Sequence, residues 1–199
     1  MPEKERDDDE AHASLPDGAF LDRAADALFA ARTILVYGEV NTKLARTISA
    51  QLLALNASGG GPIRMIVHSP GGHVEAGDTI HDLIRAVAPK VIMIGTGWVA
   101  SAGALIYSAA RKENRVCLPN TRFLLHQPLG GAGGRASDIE IEAKQILYMR
   151  ERLNRIFARA TGQDYERIVG DTEKNFWMTA REAVEYGLVH RIVETFAEV

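Results

Sequence analysis

Residues 91–131 read VIMIGTGWVASAGALIYSAARKENRVCLPNTRFLLHQPLGG, and the reading of this stretch decides the fold. Its first 20 residues, Val91 to Ala110, carry no charge and are bounded by Lys90 and Arg111. A single helix of that length would span a bilayer. Gly95, Gly97 and Gly103 interrupt it, its hydropathy is moderate and the flanking segments are amphipathic, so the run reads as buried core. The pattern predicts a strand over Val91–Ile94, a turn at Gly95 and Gly97, and a small-residue helix over Ser101–Ala110 that can pack closely on a sheet. Short strands over Arg115–Leu118 and Arg122–Leu125 follow, then a glycine-dense, mobile loop over His126–Gly134.

Outward from this centre, strands and helices alternate. Upstream, Phe20–Arg32 reads as an alanine-rich helix and Thr33–Tyr37 as a strand. Leu44, Ile48, Leu52 and Leu55 fall at helical spacing up to the Ser58–Pro62 loop. Ile63–Val67 is the next strand, running into Ser69-Pro70-Gly71-Gly72. Ile80, Leu83, Ile84 and Val87 mark a helix stopped by Pro89. Downstream, Ser137 and Glu140 form a capping-box pattern at the start of a helix of over six turns. Thr179 and Glu182 cap a last helix closed by Gly187, and Leu188–Val193 is a final strand. The alternation predicts an α/β chain with largely parallel strands and no internal repeat.

The chain has 199 residues, 46% apolar and 25% charged, enough for one substantial soluble domain and too few for two. The formal charge of −3 offers no field for nucleic acid or an anionic membrane. Residues 1–10 hold six acids and two bases, a net of −4 that leaves the remainder near +1. This head reads as a solvated tail, and an acidic, polar start disfavours a secretory leader. The single cysteine, Cys117, excludes an internal disulfide and a four-cysteine zinc site, fits a reducing compartment, and reads as a strand core position.

Acyl transfer needs a nucleophile, a base within reach, a group that orients the base, and amides for the oxyanion. Ser101 follows a strand and glycines at a helix start, where free amides and the helix dipole favour developing negative charge. The bland alternative is a helix N-cap, and Val99 occupies the first glycine position of a GxSxG elbow. His126 ends the apolar run Phe123-Leu124-Leu125 beside glycines and suits a base. His68, His81, His12 and His190 have weaker settings. A metal site from His73, Glu75 and His81 lacks a recognised ligand spacing. Gly95-Thr96-Gly97-Trp98-Val99-Ala100 imitates a dinucleotide fingerprint, but the acidic residue expected about twenty positions on is at best Glu113, beside Arg111 and Lys112.

Several blocks together resemble the ClpP serine peptidase family: HSPGG (68–72), GWVASAGALI (97–106), RVCLPNTRFLLHQPLGG (115–131), ASDIEIEAKQIL (136–147) and the segment from DTEKNFWMTA to EAVEYGLV (171–189). The resemblance covers roughly residues 33–193. It implies a single-domain, crotonase-like α/β fold over 20–199 with an acidic tail over 1–19. A long handle helix near 137–160 would meet an opposing ring, and two heptameric rings would stack into a hollow tetradecamer. By position, Ser101 resembles the nucleophile and His126 the general base, while the amides of Gly72 and Ala102 resemble the oxyanion hole. Gly72, His73 and Val74 on one side, and Leu129, Gly130 and Gly131 on the other, resemble edges between which an extended peptide pairs. The implied chemistry uses neither metal nor organic cofactor, in the cytoplasm, on peptide or unfolded protein substrates.

Two departures qualify that resemblance. The third triad position reads Asn175 where the family usually has Asp. An amide oxygen can orient imidazole but carries no charge to stabilise imidazolium. In a chymotrypsin-type triad the Asp-to-Asn change drops turnover about 10⁴-fold, roughly 5 kcal/mol of barrier. Weak or conditional activity is the expectation, with Asp171 and Glu173 near enough in sequence to supply charge. The positions matching the pockets that dock unfoldase ATPases read Arg64, Ile66 and Ala86, which predicts poor docking through this subunit. A mixed barrel with a more typical ClpP paralogue would resolve both departures. The competing reading is a structural or regulatory ring subunit, and an acyl-CoA-handling relative on the same fold is a third.

Overall fold

The computed structural model describes residues 18–131 and 133–199, so residues 1–17 of the expected acidic tail, and Ala132 of the glycine loop, lie outside the described residues. In chain order the elements are α1 (Gly18–Ala30), β1 (Thr33–Tyr37), α2 (Thr42–Ala57), β2 (Ile63–Ser69), α3 (Val74–Ala86), β3 (Val91–Ala100), α4 (Ala102–Tyr107), β4 (Arg115–Cys117), β5 (Arg122–Leu125), α5 (Ala136–Thr161), α6 (Tyr165–Thr172), β6 (Phe176–Thr179), α7 (Ala180–Tyr186) and β7 (Arg191–Ile192). A 3-10 turn, Lys112–Asn114, leads into β4, and another, Phe196–Glu198, ends the chain.

The sheet runs β1-β2-β3-β4-β7 with every neighbour parallel. Strand β3 holds two partners in sequence. Met93–Gly95 pairs with β4, and Trp98–Ala100 pairs with β5, which is itself antiparallel to β6. The expected turn at Gly95 and Gly97 does not occur, because the strand continues to Ala100 through a bulge. Val67 pairs with Gly95, but Ser69 pairs with Val99, so β3 carries two extra residues there. Gly97 has φ +56°, and a Cβ on it would lie 2.3 Å from His68 Nδ1. The bulge thus needs glycine and packs on the His68 ring. It re-aims the end of β3 so that Ser101 emerges beside β5.

The core lies between the sheet and helices α2, α3, α4, α5 and α7. It is built from Ile34, Val36, Met65, Val67, Met93 and Val99 of the strands against Leu52, Ile80, Leu105, Phe157 and Ala183 of the helices. Val91–Ala110 is nearly all buried here, as core rather than as one continuous helix. No described helix is long and apolar enough to cross a membrane. Cys117 is buried in β4, where burial pushes its thiol up to about 12.

Helix α5 matches the expected handle within a residue at each end, but its start differs from the reading of Ser137. Arg135 is the N-cap, no side chain caps the helix, and Glu140 pairs instead with Lys144 at 2.6 Å. The capping box of α7 does form, the Thr179 hydroxyl accepting from Glu182 N–H and the Glu182 carboxylate accepting from Thr179 N–H. Two elements have no counterpart in the sequence reading, α6 and β6, and the final strand is shorter than expected.

Candidate active site

Ser101 sits at the junction of β3 and α4 with φ +54° and ψ −121°, one of two non-glycine residues with positive φ among those described. A β-carbon in that region is strained and persists only where surroundings enforce it. Here they do: Ser101 N–H donates to Leu124 O at 2.9 Å, and Leu105 N–H donates to Ser101 O at 3.0 Å. Ser101 is the N-cap residue of α4 by position, but its side chain makes no capping hydrogen bond, so Oγ is not spent on the helix end. The geometry is a sharp strand-to-helix turn that presents Oγ, achieved without the first glycine of a GxSxG sequence.

His126 follows directly on β5, whose Leu124 carbonyl holds Ser101. The two side chains line one small pocket with Val74, Ala102, Leu105, Pro128, Leu153 and Phe157. Burial lowers the pKa of the His126 imidazole, so the ring is held neutral, as a base requires. Leu125 and Phe176 form the last pair of the β5–β6 ladder, and His126 and Asn175 are the chain neighbours of that pair. Gln127 fastens this crossing, its N–H donating to Thr172 O at 2.8 Å and its Nε2 to Glu173 O at 2.9 Å. Among the described residues, no side-chain hydrogen bond joins Ser101, His126 and Asn175 to one another. Asp171, considered as a charge donor, accepts from Tyr186 Oη at 2.7 Å and lies 3.5 Å from Arg167 Nε. Glu173 is exposed and contributes its carbonyl.

The glycine pair beside Ser101 is gripped by Val40. Val40 N–H donates to Gly71 O and His73 N–H to Val40 O, each at 2.8 Å. A Cβ on Gly72, at φ +144°, would lie 2.2 Å from Val40 O, and one on Gly71 would lie 2.5 Å from Ser101 Cβ. The loop therefore approaches the serine as only glycine permits. Among the described residues, the amides of Gly72 and Ala102 donate to no protein acceptor, which leaves both free for an oxyanion. Leu129 is 86% exposed, and Gly130 rests on Ile146 of α5, so residues 129–131 form an open edge.

The side chains nominated for a metal or a dinucleotide form no such site. His73 pairs with Glu75 at 3.2 Å on the surface, whereas His81 is buried on α3 and pairs with Asp82 at 2.9 Å. Among the described residues no group of three or more potential ligands could hold a metal ion. The Gly95–Ala100 stretch is strand and bulge, with no helix N-terminus for a pyrophosphate. Arg64 and Ile66 are half-buried on β2, and Ala86 is exposed at the end of α3. Sequence reasoning missed Val40 and Gln127, whose roles rest on backbone contacts that carry no local pattern. It also missed Leu105, Leu153 and Phe157, which read as ordinary core residues at helical spacing.

Residues 17–196 match the Clp protease family. The chain belongs to the Clp protease family. It is 55% identical, over its full length and 88% of the relative's, to an ATP-dependent Clp protease proteolytic subunit 2 of Gluconobacter oxydans. It is 59% identical over 86% of its length to a proteolytic subunit 3 of Rhizobium etli, 89% of which is covered. Among solved structures, ClpP1 of Listeria monocytogenes superposes with a TM-score of 0.79 at 51% identity, covering 88% of this chain and 98% of that one. An Asn-to-Asp mutant of the same protein gives 0.82 at 52% identity, covering 87% and 98%. Its long helix and mixed sheet are those of the ClpP fold, and its family's enzymes are serine peptidases.

Proposed function

We propose that this Clp protease family chain hydrolyses peptide bonds through an acyl-enzyme formed on Ser101. The observation that carries the reading is the strained turn at Ser101, which sets Oγ into the pocket it shares with His126. Neutral His126 takes the serine proton and later delivers it to the leaving amine. Asn175 orients the imidazole through its amide oxygen, and the Gly72 and Ala102 amides receive the oxyanion. An extended peptide lies between residues 72–74 and 129–131, beside the apolar wall of Val74, Leu105, Leu153 and Phe157. Neither metal nor organic cofactor enters the reaction.

Activity is conditional on assembly. Asn175 supplies no charge, and hydrogen bonds absent in a resting site tighten in the reacting complex when neighbours fix the geometry. The first half of α5 presents Ile141, Leu147 and Tyr148 at 56%, 61% and 64% exposure, a face suited to an opposing ring of the same handles. Heptameric rings paired into a tetradecamer satisfy it. Relatives numbered as subunits 2 and 3 support a mixed barrel with a more typical paralogue. A structural ring subunit with little catalysis of its own is the second reading, favoured by Asn175 and by Arg64 at a docking position. The single buried cysteine supports a reducing, cytoplasmic compartment.

Fluorophosphonate labelling followed by intact mass, with Ser101→Ala as control, tests this directly on the chain alone and mixed with a typical ClpP paralogue. Stoichiometric labelling alone establishes a self-sufficient nucleophile. Labelling confined to the mixture establishes alignment by a partner ring, and none in either assigns the chain the structural role.

A further inference from the structure

Although the chain is acidic overall, a cavity of about 560 Å³ between α3, the end of α4 and the last turns of α5 is strongly basic. Its wall includes Arg85, Arg111, Lys112, Arg115, Arg152 and Arg159, and among the described lining residues Asp82 is the one carboxylate. Asp82 is already paired with His81, and Arg152 is answered by a bidentate pair to Asp78 at 2.6 Å for each bond. Among the described residues, the other five cations have no carboxylate within ion-pair distance.

Arg115 is the decisive member. It is fully buried, and its Nη2 donates to the carbonyls of Ala160 and Gly187. Its Nε and Nη1 have no hydrogen-bond partner among the described residues. Burying guanidinium donors unsatisfied is costly unless an acceptor reaches them. Arg111, Lys112 and Arg159 are exposed at the rim of the same cavity, so a ligand entering from solvent meets cations at its mouth, with the buried charge of Arg115 behind them. A lone carboxylate would answer one or two of these charges. A polyvalent oxyanion answers more, and the arginine fork matches phosphate oxygens two at a time.

The geometry points to a binding site for a phosphate-type oxyanion taken from solution, held by Arg111, Lys112 and Arg159 over the buried, uncompensated charge of Arg115. The site is separate from the Ser101 pocket and does not depend on the proposed mechanism. Because its wall joins α5 to α3 and α4, an occupant ties the handle helix to the body of the subunit.

The test titrates inorganic phosphate and pyrophosphate against the full-length assembled protein in chloride buffer at matched ionic strength. Thermal unfolding and phosphorus NMR linewidth are the readouts. Saturable stabilisation is expected, stronger for pyrophosphate, with apparent affinity falling at least fivefold in Arg111→Ala and in Arg159→Ala and more than tenfold in the double variant. Both positions are exposed, so these variants keep the fold, and circular dichroism verifies it. A response no larger than that to added chloride, or one undiminished in the double variant, overturns the assignment. So does a phosphate-insensitive protein whose variants change sedimentation, because the cavity would then hold an acidic group of a neighbouring copy.

Discussion

The hydroxyl of Tyr186 donates a 2.7 Å hydrogen bond to Oδ2 of Asp171, and Arg167 Nε lies 3.5 Å from the same oxygen. That carboxylate is therefore committed to fastening α6 to α7. It is not held in reserve for His126, which leaves Asn175 as the orienting group of the proposed triad, a neutral one.

Asn175→Asp is accordingly expected to raise kcat on short peptides at least tenfold, about 1.4 kcal/mol of barrier. Asp171→Asn should leave kcat within about twofold and lower Tm slightly, because it takes the charge out of the Tyr186 hydrogen bond and the Arg167 ion pair, together worth about 1 kcal/mol. Steady-state hydrolysis and thermal melts of both variants check this. An Asn175→Asp enzyme no faster than the parent would show that neutral orientation limits nothing.

The pH profile follows from burial. His126 has its pKa lowered by desolvation, so it stays neutral, and competent as a base, below the ordinary histidine value near 6.5. The acid limb of kcat/KM should therefore fall below pH 6.5, and a limb at pH 7 or above would contradict the assignment. His81 is lowered in the same direction by burial, partly offset by Asp82 and Asp78 and reinforced by Arg85. For both residues the unfolded chain takes up the proton first on acidification. Their neutral burial thus costs nothing above the unfolded pKa, and stability declines as pH falls from about 6.5 toward the folded values. Melts between pH 7.5 and 5.5, above most carboxylate titration, isolate this slope.

The loop at Gly71 and Gly72 gives the sharpest steric expectation. Gly72→Ala sets a methyl 2.2 Å from Val40 O at a φ that alanine rarely adopts, so the loop must move and its amide with it. Loss of an oxyanion donor costs about 10²- to 10³-fold in kcat. Fluorophosphonate labelling should slow in parallel while the far-UV spectrum is retained. Equal labelling rates in variant and parent would place the oxyanion elsewhere.

Local chemistry made most of the fold legible. Leu44, Ile48, Leu52 and Leu55 have one helical period, and all but Leu44 are buried. The Thr179 and Glu182 box forms because its two partners lie within one turn. Gly95 and Gly97 misled because glycine signals a turn and a bulge alike. What decided between them was pairing with β2 and β5, contacts about 30 residues away in sequence. Ser137 and Glu140 had the right spacing for a cap, but the helix began earlier and Lys144 took the carboxylate. Ser101 and His126, nominated from their neighbours in sequence, line one pocket. Val40 and Gln127 were not legible, since they act through main-chain groups that every residue type possesses.

Docking of an unfoldase is the last matter on which the outer face bears. On β1 and β2, Leu35 and Tyr37 are 40% and 49% exposed beside Ile66 and His68 in register, while Arg64 lies across from Thr33. The apolar patch is thus closed at one end by a guanidinium, and an apolar anchor inserted there would have to desolvate Arg64. Restoring about 100 Å² of buried apolar contact is worth about 2.5 kcal/mol per site. A homomeric barrel with a Clp ATPase should therefore degrade an unfolded protein at under a tenth of the rate reached by a mixed barrel with a typical paralogue. Arg64→Phe together with Ala86→Phe should recover part of the difference without changing hydrolysis of short peptides, which need no docking. Efficient ATP-driven degradation by the homomer would mean that the patch suffices as it stands.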